Sequence, residues 1–223
     1  GAFTRLTDSG LGCPDWPGCY GSVSPVGAST SIAAAQEAMP HGPVTFSKAW
    51  IEMIHRYLAT AVGVLILVLS MVSWVERRRL SVSYVWPLVT LVWVCLQGAF
   101  GALTVTMKLF PAIVTLHLLG GLALLALLCA QAVRYGQAWH ETIPVPLSTV
   151  THRLLVASFL ALVVQVALGG WVSTNYAVLA CNEFPTCQGS WWPHMEFRDG
   201  FTLWRELGMT AGGEHIGFGA LTA

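Results

Sequence analysis

"WIEMIHRYLATAVGVLILVLSMVSWV", residues 50–75, decides the fold. Beyond Arg56 it is apolar to its end, and a bilayer core about 30 Å thick needs roughly 20 such residues in a helix. Three further stretches qualify: 84–106, "YVWPLVTLVWVCLQGAFGALTVT"; 111–133, "PAIVTLHLLGGLALLALLCAQAV"; and 152–174, "HRLLVASFLALVVQVALGGWVST". No strand alternation competes with these runs. Composition agrees, since the 223 residues are 55% hydrophobic and only 10% charged, against about a quarter charged in a soluble domain. Formal net charge is zero and no acidic or basic block stands out, which excludes nucleic acid as a natural partner. The sequence predicts an all-α, polytopic transmembrane helix bundle with four spans visible. With no initiator Met, and with "GFGALTA" ending without a cap or polar tail, it reads as a fragment of something longer.

Basic residues set the expected orientation. Arg77, Arg78 and Arg79 lie between the first two spans, and Arg134 and Arg153 flank the connection between the third and fourth. Only Lys108 lies between the second and third. The Arg-rich connections are therefore expected in the cytoplasm, with segments 1–49, 107–110 and 175–223 outside. Trp50, Trp74, Trp86 and Trp171 stand at the span edges, as an aromatic belt would.

Two Cys-to-Cys loops fall in the outer segments: "CPDWPGC" from Cys13 to Cys19 and "CNEFPTC" from Cys181 to Cys187. Each encloses an aromatic-Pro pair, and 168 positions separate Cys13 from Cys181, Pro17 from Pro185, Cys19 from Cys187 and Gly21 from Gly189. The residues ahead of each loop share little. The spacing is neither that of a zinc knuckle nor of covalent heme attachment. On an outer face a disulfide within each loop is expected, with a redox-active pair that exchanges with a partner as the alternative. Cys95 and Cys129, inside spans, read as small apolar packing residues.

Seven His occur. His41, His140, His194 and His215 lie in polar or loop-like stretches and read as exposed loop residues, and His152 reads as an interfacial anchor beside Arg153. His55 and His117 are expected at similar depth in the outer half of the bilayer, on spans running the same way. Ionisable groups in a membrane are costly, which makes them functional candidates. Two facing imidazoles can supply both axial ligands of a heme iron; hydrogen bonding within the bundle and a proton relay remain alternatives. Gly120 and Gly121 would let a flat macrocycle approach the third span. Glu52 shares a helix face with His55 one turn away, where it could hydrogen-bond that imidazole or handle protons. Arg56 and Arg5 are weaker candidates for a heme propionate.

Taken in order, "TRLTDSGLGCPDWPGCYG", "KAWIEMIHRYLA", "QGAFGALTVT", "LFPAIVTLHLLGG" and "ALGGWVSTNYAVLACNEFPTCQGSWWP" resemble the heme A synthases of the proteobacterial type over nearly the whole chain. The resemblance implies an inner-membrane enzyme of two related four-helix halves, with its Cys loops on the periplasmic side. Residues 1–134 would be the first half without its first helix, and 135–223 the truncated start of the second. It implies oxidation of the C8 methyl of heme O to the formyl of heme A, for cytochrome c oxidase, by two hydroxylations and loss of water. His55 and His117 would be the axial ligands of the substrate heme, Glu52 the acidic residue beside it, and Cys13–Cys19 and Cys181–Cys187 the outer loop pairs. A heme b would be held by ligands beyond residue 223; His215 is not assigned to it. Implied partners are heme O, a heme O synthase, a ferredoxin-like or quinol electron donor and membrane lipid, with a homo-oligomer left open. The rival readings are a b-type membrane cytochrome exchanging electrons with quinone, and a transporter.

Overall fold

The computed structural model describes residues 1–40, 42–140 and 145–223; His41 lies outside the described residues. Helices account for all the regular elements among them: α1 (Ala2–Leu6), α2 (Ser29–Ala38), α3 (Phe46–Val75), α4 (Val85–Thr106), α5 (Pro111–His140), α6 (Thr149–Thr174), a 3-10 turn (Ala177–Ala180), α7 (Phe197–Gly200) and α8 (Phe218–Thr222). Helices α3, α4, α5 and α6 are each long and apolar enough to cross a membrane. The chain is a multi-pass, all-α membrane protein.

The span boundaries differ from expectation where local chemistry overrides hydropathy. Helix α3 begins at Phe46 rather than 50 because the Thr45 hydroxyl accepts the Lys48 N–H at 3.2 Å and caps the extra turn. Helix α5 runs on to His140, since "RYGQAWH" is polar but contains no proline, and its one glycine, Gly136, is tolerated within the helix. His140 is thus helical, although exposed as expected. Ser148 caps α6 by accepting the Thr151 N–H at 3.1 Å, which places His152 in its first turn.

Two compact units form, one of residues 1–108 and 120–145, the other of 109–119 and 146–223. In the first, a small core of Cys13, Cys19, Ala28, Ile32, Ala49 and Met53 packs the Cys loop and α2 onto the start of α3. The far half of α3 meets α4 through the buried Ser70 hydroxyl, which donates to Pro87 O at 2.9 Å. Trp93 Nε1 donates to Gly120 O at 2.9 Å, and the Gln131 amide donates to the buried Thr90 hydroxyl. In the second unit, Thr115 and Thr174 hydroxyls lie 3.1 Å apart. Trp171 Nε1 donates to Gly200 O at 2.9 Å, and Phe110 packs against Trp204 with ring centroids 4.9 Å apart.

The 168-residue repeat is structural as well as sequential. Both loops contain a cis prolyl bond, at Trp16–Pro17 and Phe184–Pro185. Each closes with an antiparallel bridge, Cys19 to Ser22 and Cys187 to Ser190, around left-handed pairs Tyr20–Gly21 and Gln188–Gly189. The register extends upstream, where the sequences differ. Helices α1 and α6 end at Leu6 and Thr174, and left-handed residues follow at Asp8 and Tyr176.

Candidate functional site

Both expected disulfides are formed. Sulfurs of Cys13 and Cys19 are 2.11 Å apart and those of Cys181 and Cys187 are 2.10 Å apart. A thiol pair cannot ligate a metal while so bonded. Cys95 and Cys129 are free, but exposed rather than packed as expected: their helix faces turn outward, where a small apolar thiol is compatible with lipid.

The acidic residue inside each loop rigidifies it, a role the sequence reading missed. Asp15 accepts the N–H groups of Tyr20 and Gly21 at 2.6 and 2.7 Å. Glu183, 168 positions on, accepts the N–H of Gly189. The conserved offset between two acidic residues was the available signal.

Glu52 anchors the first loop to α3. It is buried, 3% exposed, with Oε2 accepting the Cys13 N–H at 2.8 Å and Oε1 accepting from the Arg56 guanidinium at 2.5 Å. The same guanidinium donates to three loop carbonyls, Asp15 at 2.9 Å, Pro17 at 3.2 Å and Gly18 at 2.5 Å. Arg56 is therefore committed to the loop, which corrects its reading as a propionate partner. Spacing explains the result: at i and i+4 the two side chains lie on one helix face, and the loop lies over it. Gly12 makes the approach possible, since a Cβ there would stand 2.5 Å from the Lys48 carbonyl carbon and 2.7 Å from Ala49 N.

His55, half-buried, is the next residue round α3 from this clamp, and the Gly1 nitrogen lies 3.3 Å from its Nδ1. His117, also half-buried, sits in the second turn of α5. His55 belongs to the first compact unit and His117 to the second. Around His117, α6 comes close: a Cβ at Gly170 would lie 2.9 Å from Leu118 Cδ2 and 3.6 Å from Thr115 Cγ2. The expectation that Gly120 and Gly121 leave room for a macrocycle is corrected. Gln97 of α4 fills the space over both glycines, at 3.4 Å from a Cβ on Gly121, so their bareness serves helix packing. His194 and His215 are exposed outside the spans, with His194 Nδ1 3.8 Å from the Glu196 carboxylate.

In the segment of the second unit that follows α6, Arg205 is buried, 4% exposed. It donates to Asn175 Oδ1 at 2.6 Å and Met209 O at 3.2 Å. Desolvation lowers its pKa, opposed by the nearby Asp199 charge. Nothing in the sequence singled it out, because burial of a loop Arg depends on the fold of its neighbours.

Taken together, these features define a multi-pass helical membrane protein with a disulfide-closed loop anchored beside a His on a span-length helix. The family follows from comparison. Residues 1–215 match the model of the cytochrome oxidase assembly proteins (COX15-CtaA), and the chain belongs to that family. It is similar to the heme A synthase of Shewanella oneidensis, 39% identical over 202 residues, covering 91% of this chain and 60% of that protein. It also resembles the heme A synthases of Halalkalibacterium halodurans, 26% identical with 86% of this chain and 60% of that protein covered, and Methylobacterium nodulans, 30% identical with 92% and 61% covered. The chain thus spans about three-fifths of the length of these relatives. No solved structure matches it.

Proposed function

We propose that this chain carries the substrate half of a heme A synthase, which oxidises the C8 methyl of heme O to a formyl group. The observation that carries the proposal is the family membership of a chain whose relatives bear that name, joined to a loop clamp directly beside His55. A b-type cytochrome would need the histidines but gives no reason for twin disulfide loops.

In this reading His55 and His117 are the axial ligands of heme O, the substrate, whose iron their imidazoles suit. Two hydroxylations of one methyl and loss of water give the aldehyde. The protein's work is to hold the macrocycle, aim one methyl, and control protons and water around it. The first Cys loop, pinned by Glu52 and Arg56, closes the outer mouth of the pocket. Glu52 is the acidic group nearest His55 in sequence, and the candidate for proton handling when the clamp opens. Heme b, with ligands beyond residue 223, would relay electrons from a ferredoxin-like or quinol donor. A heme O synthase supplies the substrate, the cell inner membrane is the location, and the Cys loops face the periplasm. Residues 1–134 and 135–223 belong to the two halves.

Full-length protein expressed with a heme O supply tests this by pigment extraction. Heme A formed from heme O is the expected result; a fixed heme b with no conversion would point to the cytochrome. Glu52→Ala should leave heme content near normal but stall oxidation, and an unchanged heme A yield would remove Glu52 from the chemistry.

A further inference from the structure

At the end of the first unit away from the Cys loop, the α3–α4 connection and the tail of α5 enclose an open cleft. Its volume is about 340 Å³, and Ser81, Ser83, Trp86, Arg134 and Gln137 line it over a floor that includes Val82 and Ala138. The Arg134 guanidinium carbon lies over the Trp86 ring, 4.3 Å from its centroid. A cation–π contact of this kind holds the guanidinium near the ring while leaving its N–H groups able to donate. Among the described residues no carboxylate pairs with Arg134. The Ser83 oxygen accepts the Val85 N–H at 3.3 Å, so its own proton is available to another acceptor.

Among the described residues the surrounding charge is net positive. Arg77, Arg78 and Arg79 precede the cleft, and the nearby Glu76 is engaged by Arg79 at 3.4 Å. Arg77 stacks on Trp74 at 4.6 Å. The cleft also sits where two apolar helices reach their polar ends, the start of α4 and the last turns of α5. That is the headgroup level of a bilayer. Donors with no protein acceptor among the described residues, excess positive charge and Trp86 at headgroup level together fit a phosphate diester anchored by acyl chains.

We propose that this cleft binds the headgroup of an anionic phospholipid, with Arg134 as the principal phosphate contact. The site is independent of the heme chemistry. Lipid bound here would tie the α3–α4 connection to the tail of α5.

Native mass spectrometry of the full-length protein, released from nanodiscs of phosphatidylglycerol mixed with phosphatidylcholine, tests the proposal. Wild type should retain phosphatidylglycerol in preference to phosphatidylcholine. R134Q should lower that retention about five-fold, which corresponds to about 1 kcal/mol for one interfacial arginine. Q137L, which removes an amide donor from the cleft without changing charge, should lower it too. R79Q removes a charge already paired with Glu76 and should have little effect. Equal retention in R134Q and wild type overturns the site, and an equal loss in R79Q reduces it to diffuse attraction. Displacement of the lipid by millimolar inorganic phosphate would reassign the cleft to a soluble anion.

Discussion

The carboxylate of Glu52 accepts the backbone N–H of Cys13 at 2.8 Å across 39 residues of chain. The pair links a helix that crosses the membrane to the first residue of a disulfide loop, and Arg56 closes the link from the other side. A hydrogen bond to a charged group contributes about 1.5–3 kcal/mol, more when its loss strands a buried partner. Glu52→Ala should therefore loosen the first loop and leave the second alone. Reduction of Cys13–Cys19 by a mild thiol should become at least about tenfold faster, with Cys181–Cys187 as an internal control, followed by mass-tagging of the released thiols. Glu52→Gln, which keeps an acceptor for Cys13 N–H, should fall between. Equal rates in all three proteins would mean that the clamp does not govern the loop.

Gly12 carries a separate test of loop docking. Its missing side chain faces the α3 backbone at Lys48 and Ala49, which cannot retreat as a side chain could. Gly12→Ala should lift the loop and cost about 1–3 kcal/mol, the usual range for overpacking. Gly21→Ala meets open space but sits at φ +71, so its penalty is left-handed backbone alone, about 1 kcal/mol. Thermal unfolding in detergent should rank Gly12→Ala below Gly21→Ala, and the reverse order would refute the close approach.

Much of this was legible in the sequence, for identifiable reasons. Four spans follow from apolar length, and the two disulfides from a spacing seen twice in segments expected outside. Helix ends escaped because the Thr45 cap starts α3 four residues ahead of the expected span, and because the polar tail of α5 contains no proline. Arg56 was misread because neighbours in sequence leave a helix in different directions, and only the loop's position shows which direction is occupied. Gly120 and Gly121 were misread because a bare backbone invites any flat neighbour, and Gln97 reached it first. The repeat of Asp8 and Tyr176 was invisible, since a backbone conformation can persist after its residue type has changed.

Gly170 bears on the turn that carries His117. A Cβ there meets Leu118 Cδ2 at 2.9 Å, but Leu118 is 42% exposed and can rotate away. Gly170→Ala should therefore be tolerated within about 1 kcal/mol. Gly170→Leu should not, because the larger group also presses on Thr115 and separates its hydroxyl from Thr174, now 3.1 Å away. The expected result is a lower unfolding temperature for Gly170→Leu and, in heme-loaded full-length protein, a shifted Soret band. A Soret band unchanged in position beside lowered stability would detach this packing from the heme site.

Arg205 and Asn175 allow a double-mutant cycle in the second unit. Asn175 Nδ2 donates to Trp171 O at 2.9 Å while its Oδ1 receives Arg205 at 2.6 Å. Arg205 Nε is buried without an acceptor, so this guanidinium has little to spare. Asn175→Leu should leave a buried charge short of its best partner, a loss of about 1.5–3 kcal/mol. Arg205→Met removes the charge together with its desolvation penalty, so it should cost less. The double variant should be more stable than Asn175→Leu alone, because replacing both members removes the stranded charge. Protease sensitivity of residues 175–210, read by mass spectrometry, reports the local effect. Simple additivity of the two single changes would show that the pair is not coupled, and Arg205 would then be held by Met209 O and the Trp171 ring instead.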